Sequence, residues 1–103
     1  MIAKKIPYER KTSGTTNLSN ITWSQRGNVV DVIVSGYRAS DTSVVIITGL
    51  PTPTAYSYRI ARLFKNDIIV GYIEYFNTWH IQVDKSGYLN TEIYTSFTYL
   101  TDE

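Results

Sequence analysis

The chain has 103 residues, with ten basic and nine acidic side chains and no cysteine. Its length fits one domain, and its near-neutral charge argues against the broad electrostatic surface that nucleic acid or an anionic membrane would require. The lack of cysteine excludes disulfides and thiolate metal sites, and no apolar run approaches the roughly 20 residues of a membrane-spanning helix.

The composition favours strands. Nine tyrosines, three phenylalanines and two tryptophans accompany many threonine, valine and isoleucine residues. Aromatic and β-branched side chains pack well on a pleated sheet, whereas the better helix formers are few in this chain.

The N-terminal stretch has no hydrophobic periodicity. Its segment TSGTTNLSN, residues 12–20, is small and polar, which is typical of a loop or linker. We therefore expect residues 1–19 to be a linker or N-terminal arm and residues 20–103 to be the folded domain.

Two strands and a buried run follow. The segment ITWSQRGNVVDVIVSG predicts a hairpin whose tip contains Gly27 and Asn28, since both residue types tolerate positive φ. In its second arm, Val30, Val32 and Val34 share one face. The run SVVIIT that comes next is continuous and apolar, as in a strand covered on both sides.

A proline-containing crossing, GLPTP, comes after this run. Pro51 and Pro53 cannot donate ladder hydrogen bonds, so strand pairing must stop there. Each proline also favours extended geometry in the preceding residue, which stiffens the loop. We expect a corner between two sheets; a loop presented for binding is the alternative.

The second half of the chain continues with strands. YSYRIARLF alternates as a strand, although Tyr56, Ile60 and Leu63 also have helical spacing. The turn at residues 65–67 leads into a strand over 68–75. After it, TWHIQV places Trp79 on one face and His80 on the other.

The last part of the chain predicts a turn at residues 84–87 and two closing strands, 88–93 and 96–100. This gives about eight strands joined by short turns. Such a pattern points to an all-β antiparallel sandwich or barrel.

Catalytic chemistry has little support in the sequence. His80 is the single histidine, so no two-histidine metal site can form. No nucleophile-elbow pattern is present, and the acidic residues Glu74, Asp84 and Glu92 have no spacing that sets them apart from surface charges. We predict no enzymatic activity, no cofactor and no metal.

Carbohydrate binding fits the aromatic content better. A flat ring packs on the apolar face of a sugar while amide and carboxylate groups bind its hydroxyls. The candidate ligand-binding residues are Tyr75, Trp79, His80, Gln82, Asp84, Tyr88, Asn90 and Glu92. Two alternatives stay open: Trp79 alternates with Ile81 as a core residue would, and tyrosines are also common at subunit interfaces.

Nucleic-acid binding is a further alternative. Tyr56 and Tyr58 interleave with Arg59, Arg62 and Lys65, and stacking aromatics beside cations hold single strands on OB-folds. The near-neutral charge favours a structural role for these side chains.

Four segments resemble one class of proteins. They are ITWSQRGNVVDVIVSG, ITGLPTPTAYSY, IVGYIEYFNTWHIQVDKSGYLN and TSFTYLT, spanning about residues 21–101. Their marks are a Trp followed by Arg-Gly-Asn-Val-Val, a Gly-Leu-Pro-x-Pro crossing, a Trp-x-Ile strand leading to a Gly-x-Leu turn, and a closing Phe-x-Tyr-Leu strand. In these the chain is similar to the C-terminal domains of phage tail-fibre and baseplate receptor-binding proteins.

The resemblance implies a jelly-roll-like β-sandwich at the tip of a trimeric appendage of the virion, the phage tail. It also implies non-catalytic binding of a host cell-wall saccharide, and no binding residue is carried over by position. A homotrimer would cover apolar residues that lie on both faces of one strand, such as Val29 and Ile33 opposite Val30 and Val32.

The expected partners are the host saccharide, two further copies of the chain, and other tail or baseplate proteins through the N-terminal segment. Nucleic acid and membrane insertion are not expected. The alternatives are a structural trimerisation or attachment module of the tail and a small single-stranded nucleic-acid-binding β-domain.

Overall fold

The computed structural model describes residues 11–54 and 57–103. They form eight strands: β1 (Lys11–Thr15), β2 (Ile21–Arg26), β3 (Val29–Tyr37), β4 (Val45–Ile47), β5 (Ser57–Lys65), β6 (Ile68–Phe76), β7 (Thr78–Val83) and β8 (Ile93–Leu100). Apart from one short 3₁₀ turn, Ser86–Tyr88, the described residues contain no helix. The all-β prediction with about eight strands is confirmed.

The strands make two antiparallel sheets of four. The first sheet has the order β1-β2-β3-β8 and the second sheet has the order β4-β7-β6-β5. The second sheet is a Greek key, in which the meander β5-β6-β7 is completed by β4 beside β7. In the first sheet, the meander β1-β2-β3 is extended by β8. Most of the buried apolar side chains come from the inner faces of the two sheets, as in a sandwich.

The first sheet begins earlier than the sequence predicts. β1 pairs with β2 along its whole length, from Lys11 opposite Arg26 to Thr15 opposite Thr22. The expectation that residues 11–15 belong to an irregular arm was therefore wrong. These residues are small and polar, and they are strand because β2 offers a neighbouring edge; residues 1–10 lie outside the described part of the chain.

The hairpin of β2 and β3 is confirmed. Arg26 pairs with Val29, so Gly27 and Asn28 form the tip, and Gly27 has a φ of 58°. Val30, Val32 and Val34 are buried on the inner face, whereas Ile33 on the outer face is exposed.

The strands of the second half need two corrections to the prediction. Residues 57–65 are strand β5, so the helical alternative for this segment was wrong; Tyr56 lies outside the described residues. The two closing strands predicted at 88–93 and 96–100 are one strand, β8, preceded by the 3₁₀ turn. Asn90 between them adopts a positive φ of 59°, which ends the turn before β8 begins.

The proline crossing differs from the predicted corner. It joins β4 to β5, the two edge strands of one sheet, so it does not carry the chain from sheet to sheet. It instead contacts the first sheet, because Pro53 bridges to Thr101 just after β8 and Thr54 N–H donates to the Leu100 carbonyl at 2.9 Å.

Pro51 is the centre of this contact. Its buried carbonyl accepts a hydrogen bond from Trp79 Nε1 at 3.1 Å and another from the Tyr99 hydroxyl at 2.6 Å. Trp79 lies on β7 and Tyr99 on β8, and their ring centroids are 4.8 Å apart. One carbonyl thus links both sheets to the crossing.

The edge of β4 is closed by Asn17. Its side-chain amide donates to the Ile46 carbonyl at 2.9 Å, and its side-chain oxygen accepts from Thr48 N–H at 2.8 Å. A side chain therefore makes the contacts that another strand would make, which protects a short edge from pairing with other chains.

We predict that Tyr99→Phe lowers the free energy of unfolding by about 1–2 kcal/mol, because the buried hydroxyl bond to Pro51 is lost. In a domain of this size, each kcal/mol corresponds to a drop of about 4–8 °C in the melting temperature. The control is Tyr88→Phe, since no hydrogen bond engages the Tyr88 hydroxyl within the described residues and its loss should change stability by less than about 0.5 kcal/mol. Equal melting temperatures for the two variants would contradict the role of Pro51.

Tyr99 also makes a prediction for alkaline pH. Burial raises the pKa of its phenol above the ordinary value of 10.0, and the Glu103 carboxylate adds to this. The unfolded chain then loses the proton at a lower pH than the folded chain, so stability present below about pH 10 is lost as the pH rises further. Denaturant unfolding at stepwise increasing pH should show a shallower decline in Tyr99→Phe. The decline in stability should not vanish in this variant, because burial and Asp41 also raise the pKa of Tyr37.

Candidate ligand-binding face

The structure divides the predicted ligand-binding residues among three places. Tyr75 and Trp79 face the core, where their rings meet edge-on with centroids 5.4 Å apart. Trp79 is only 4% exposed, and its indole N–H is bonded to Pro51. A buried ring cannot contact a sugar, so Trp79 is a core residue, as the alternative interpretation had it.

Asp84, Tyr88, Asn90 and Glu92 lie on the connection between β7 and β8. The contacts of Asn90 and Glu92 hold this connection in place. Arg38 donates to the Asn90 carbonyl at 3.1 Å and approaches the Glu92 carboxylate at 3.6 Å, while Lys65 Nζ donates to the Glu92 carbonyl at 2.7 Å. These contacts tie the connection to the residue just after β3 and to the end of β5.

His80 and Gln82 lie on the outer face of β7. Strand alternation places them there, because Trp79, Ile81 and Val83 all point inward. In the antiparallel register with β6, His80 is opposite Glu74 and Gln82 is opposite Tyr72. The sequence indicates His80 and Gln82 as site residues, but it does not indicate Glu74 and Tyr72 as their partners.

The first pair is His80 with Glu74. The imidazole Nε2 lies 2.5 Å from Glu74 Oε1, and the two side chains are only 14% and 18% exposed. Strand alternation alone would leave an outer-face imidazole in solvent, whereas the His80 ring is largely covered and has a carboxylate partner.

The second pair is Tyr72 with Gln82. The Tyr72 hydroxyl donates to Gln82 Oε1, and Gln82 Nε2 donates to the Thr42 carbonyl at 2.8 Å. Both ends of the Gln82 amide are therefore oriented. We call Tyr72, Glu74, His80 and Gln82 the polar ladder.

A cleft lies next to the polar ladder along β5. It has a volume of about 460 Å³ and is lined by Ile60, Ala61, Arg62 and Phe64. Arg62 is opposite Tyr72 in the β5–β6 register, so it continues the ladder row onto the next strand. Phe64 is 48% exposed. The polar ladder, Arg62 and Phe64 together form what we call the ladder face.

The register of the β6–β7 hairpin is the signal that could have predicted the ladder. Asn77 has a φ of 63° and lies alone between Phe76 and Thr78, which pair with each other. Counting outward from this turn places Glu74 beside His80 and Tyr72 beside Gln82. By contrast, the place of Arg62 depends on the bulges in the β5–β6 ladder, which the sequence does not reveal.

A second cleft lies on the first sheet. It has a volume of about 350 Å³ and is lined by Thr12, Ser13, Ser24, Gln25, Arg26 and Asp31. Thr98 donates to Asp31 Oδ1 at 2.6 Å beside it. Among the described residues, its lining has no aromatic ring, which makes it a poorer match for a pyranose than the ladder face.

Two searches of the described residues, for clustered metal ligands and for a membrane-spanning helix, were negative. Their His, Asp and Glu side chains do not come together in any group of three that could hold an ion. The same part of the chain has no helix of the length and hydrophobicity that a bilayer crossing requires.

Comparison with protein-family models, curated proteins and solved structures found no match.

We predict that His80 and Glu74 are energetically coupled. Glu74→Gln, His80→Gln and the double variant should give a coupling free energy of about 1 kcal/mol, because the pair is largely shielded from water. The same cycle on Arg38 and Glu92, whose side chains are 57% and 49% exposed, is the control and should give less than about 0.5 kcal/mol. Similar values for the two pairs, from urea unfolding at pH 7, would mean that the ladder is not an organised unit.

Proposed function

We propose that the protein is a non-catalytic tip domain of a phage tail or baseplate that binds a host cell-wall saccharide on the ladder face. The observation that carries this proposal is the polar ladder itself: four polar side chains fixed by hydrogen bonds on the outer face of a sheet, next to an exposed ring and a cleft.

The ladder face has the two kinds of group that a sugar requires. Phe64 offers a ring to the apolar face of a pyranose, while Gln82, Glu74 and His80 offer donors and acceptors to its hydroxyls. Because the ladder side chains are already ordered by each other, binding costs little further side-chain entropy.

The placement in a phage tail rests on the sequence resemblance. An assembly of three chains accords with exposed apolar side chains on the outer face of the first sheet: Ile33 at 53%, Tyr94 at 59% and Leu100 at 54% exposed. Packing this face against other copies would leave the ladder face open. Three weak sites on one particle would then gain avidity without any one being tight. In this arrangement the N-terminal segment attaches the domain to other tail proteins.

A second candidate function is single-stranded nucleic-acid binding. Arg62, Phe64 and Tyr72 lie close together in the β5–β6 pairing, and aromatic and cationic groups on one sheet face are what base stacking uses. The net charge of +1 favours the saccharide. Retention of oligonucleotides with a steep salt dependence would favour the second candidate instead. A structural attachment module would bind neither ligand.

We predict that Gln82→Ala and Phe64→Ala each weaken binding of the pure protein to host cells and to isolated cell-wall glycan by about tenfold, the effect of losing one oriented hydrogen-bonding group or one stacked ring. Calorimetry with the glycan gives the affinity of a single site.

The matched control is Gln25→Ala, which removes the same amide on the first sheet, where Gln25 lines the other cleft. Its affinity should equal that of the unmodified chain. If Gln25→Ala weakens binding and Gln82→Ala does not, the ligand occupies the first sheet and the ladder face is not the site. Circular dichroism confirms that each variant is folded.

We predict that light scattering on a size-exclusion column gives three times the mass of the 11.8 kDa chain. Ile33→Asp should reduce this to one chain, because a charge in the centre of the exposed apolar set opposes its burial. Ile46→Asp is the control, since Ile46 is equally exposed at 52% but lies on β4 of the second sheet. A monomeric unmodified chain would contradict the trimeric appendage.

A further inference from the structure

We propose that the saccharide on the ladder face is acidic, with a carboxylate or phosphate group that pairs with Arg62. This inference rests on the proposed function and names the class of sugar that the site would select.

Arg62 lines the cleft on β5 and has no partner among the described residues. Within residues 11–54 and 57–103, no hydrogen bond or ion pair engages its guanidinium. Arg38, in contrast, contacts Glu92, and Lys65 donates to the Glu92 carbonyl. The cation at the ladder face is thus available to a ligand, while Arg38 and Lys65 hold the connection between β7 and β8.

Glu74, the carboxylate of the polar ladder, is not a partner of Arg62. Glu74 lies one ladder step from Tyr72, which is the residue opposite Arg62. Its Oε1 is engaged by His80 at 2.5 Å on the far side, towards β7. The outer face of the second sheet therefore has two hydrogen-bonded pairs, Glu74 with His80 and Tyr72 with Gln82. Beside them at the cleft lies one cation, Arg62, that has no partner among the described residues.

The chemistry of the cleft selects an anion attached to a sugar ring. A guanidinium presents a planar fork that binds a carboxylate or phosphate through two parallel hydrogen bonds. Phe64, two residues along β5, lines the same cleft and offers the ring on which a pyranose would stack. The cleft volume of about 460 Å³ lies within the range of about 300–1,000 Å³ that small-molecule sites occupy.

The test measures affinity for three polymers: a neutral glucan, polygalacturonate as the carboxylate source, and a poly(glycerol phosphate) teichoic acid as the phosphate source. We expect one of the two acidic polymers to bind at least tenfold tighter than the neutral one. Arg62→Gln should remove this preference, and Arg62→Lys should restore part of it, since a lysine supplies the charge without the fork.

The matched control is Lys85→Gln, which removes the same charge from an exposed residue just after β7 that is not part of the cleft lining. It should leave the preference for the acidic polymer unchanged. If Lys85→Gln lowers the affinity as much as Arg62→Gln, the preference comes from overall charge and the Arg62 site is overturned.

Two other outcomes separate this inference from the proposed function. Equal binding of neutral and acidic polymers that is lost in Gln82→Ala but kept in Arg62→Gln overturns the acidic ligand and leaves saccharide binding in place. No binding to any polymer or to host cells overturns both.

Discussion

The structure depends on one buried carbonyl. Pro51 accepts hydrogen bonds from Trp79 on β7 and Tyr99 on β8, so one oxygen joins the two sheets to the crossing that closes this end of the sandwich. Proline suits the position because a residue without an N–H has one backbone donor fewer to satisfy in a buried place. The rings of Tyr75 and Phe97 then pack on Trp79, which extends the contact into the rest of the core.

This arrangement also determines where a ligand can bind. The Trp79 indole, which the sequence offers as a sugar platform, is buried and bonded to Pro51, and the inner faces are filled mainly by branched aliphatic side chains. Binding is left to the outer faces of the sheets. Of these, the second sheet has polar side chains ordered by one another, and an exposed aromatic ring beside them. The first has mainly small hydroxyl side chains around Asp31, with Ile33 and Tyr94 exposed among them.

Sequence patterns predicted the features that depend on alternation. The inward valines of β3, the Gly27–Asn28 tip and the two faces of β7 all follow from a period of two. Sequence patterns failed where strand pairing decides the structure. The segment β1 is a strand because β2 lies beside it, although its own residues resemble a loop. The candidate site was half predicted for the same reason. His80 and Gln82 could be read from their own strand, whereas Glu74, Tyr72 and Arg62 join them through the register of neighbouring strands.

The core and the ladder face share that register. The β6–β7 hairpin turns at a single residue, Asn77, so Trp79 lies opposite Tyr75 inside while His80 lies opposite Glu74 outside. A slip of one residue would move every side chain of β7 to the other face, placing His80 in the core and Trp79 in water. The burial of Trp79 against Pro51 opposes such a slip strongly, because the indole would lose both its apolar contacts and its hydrogen bond. The contact that joins the two sheets therefore also fixes the geometry of the polar ladder on the opposite side of the same strand.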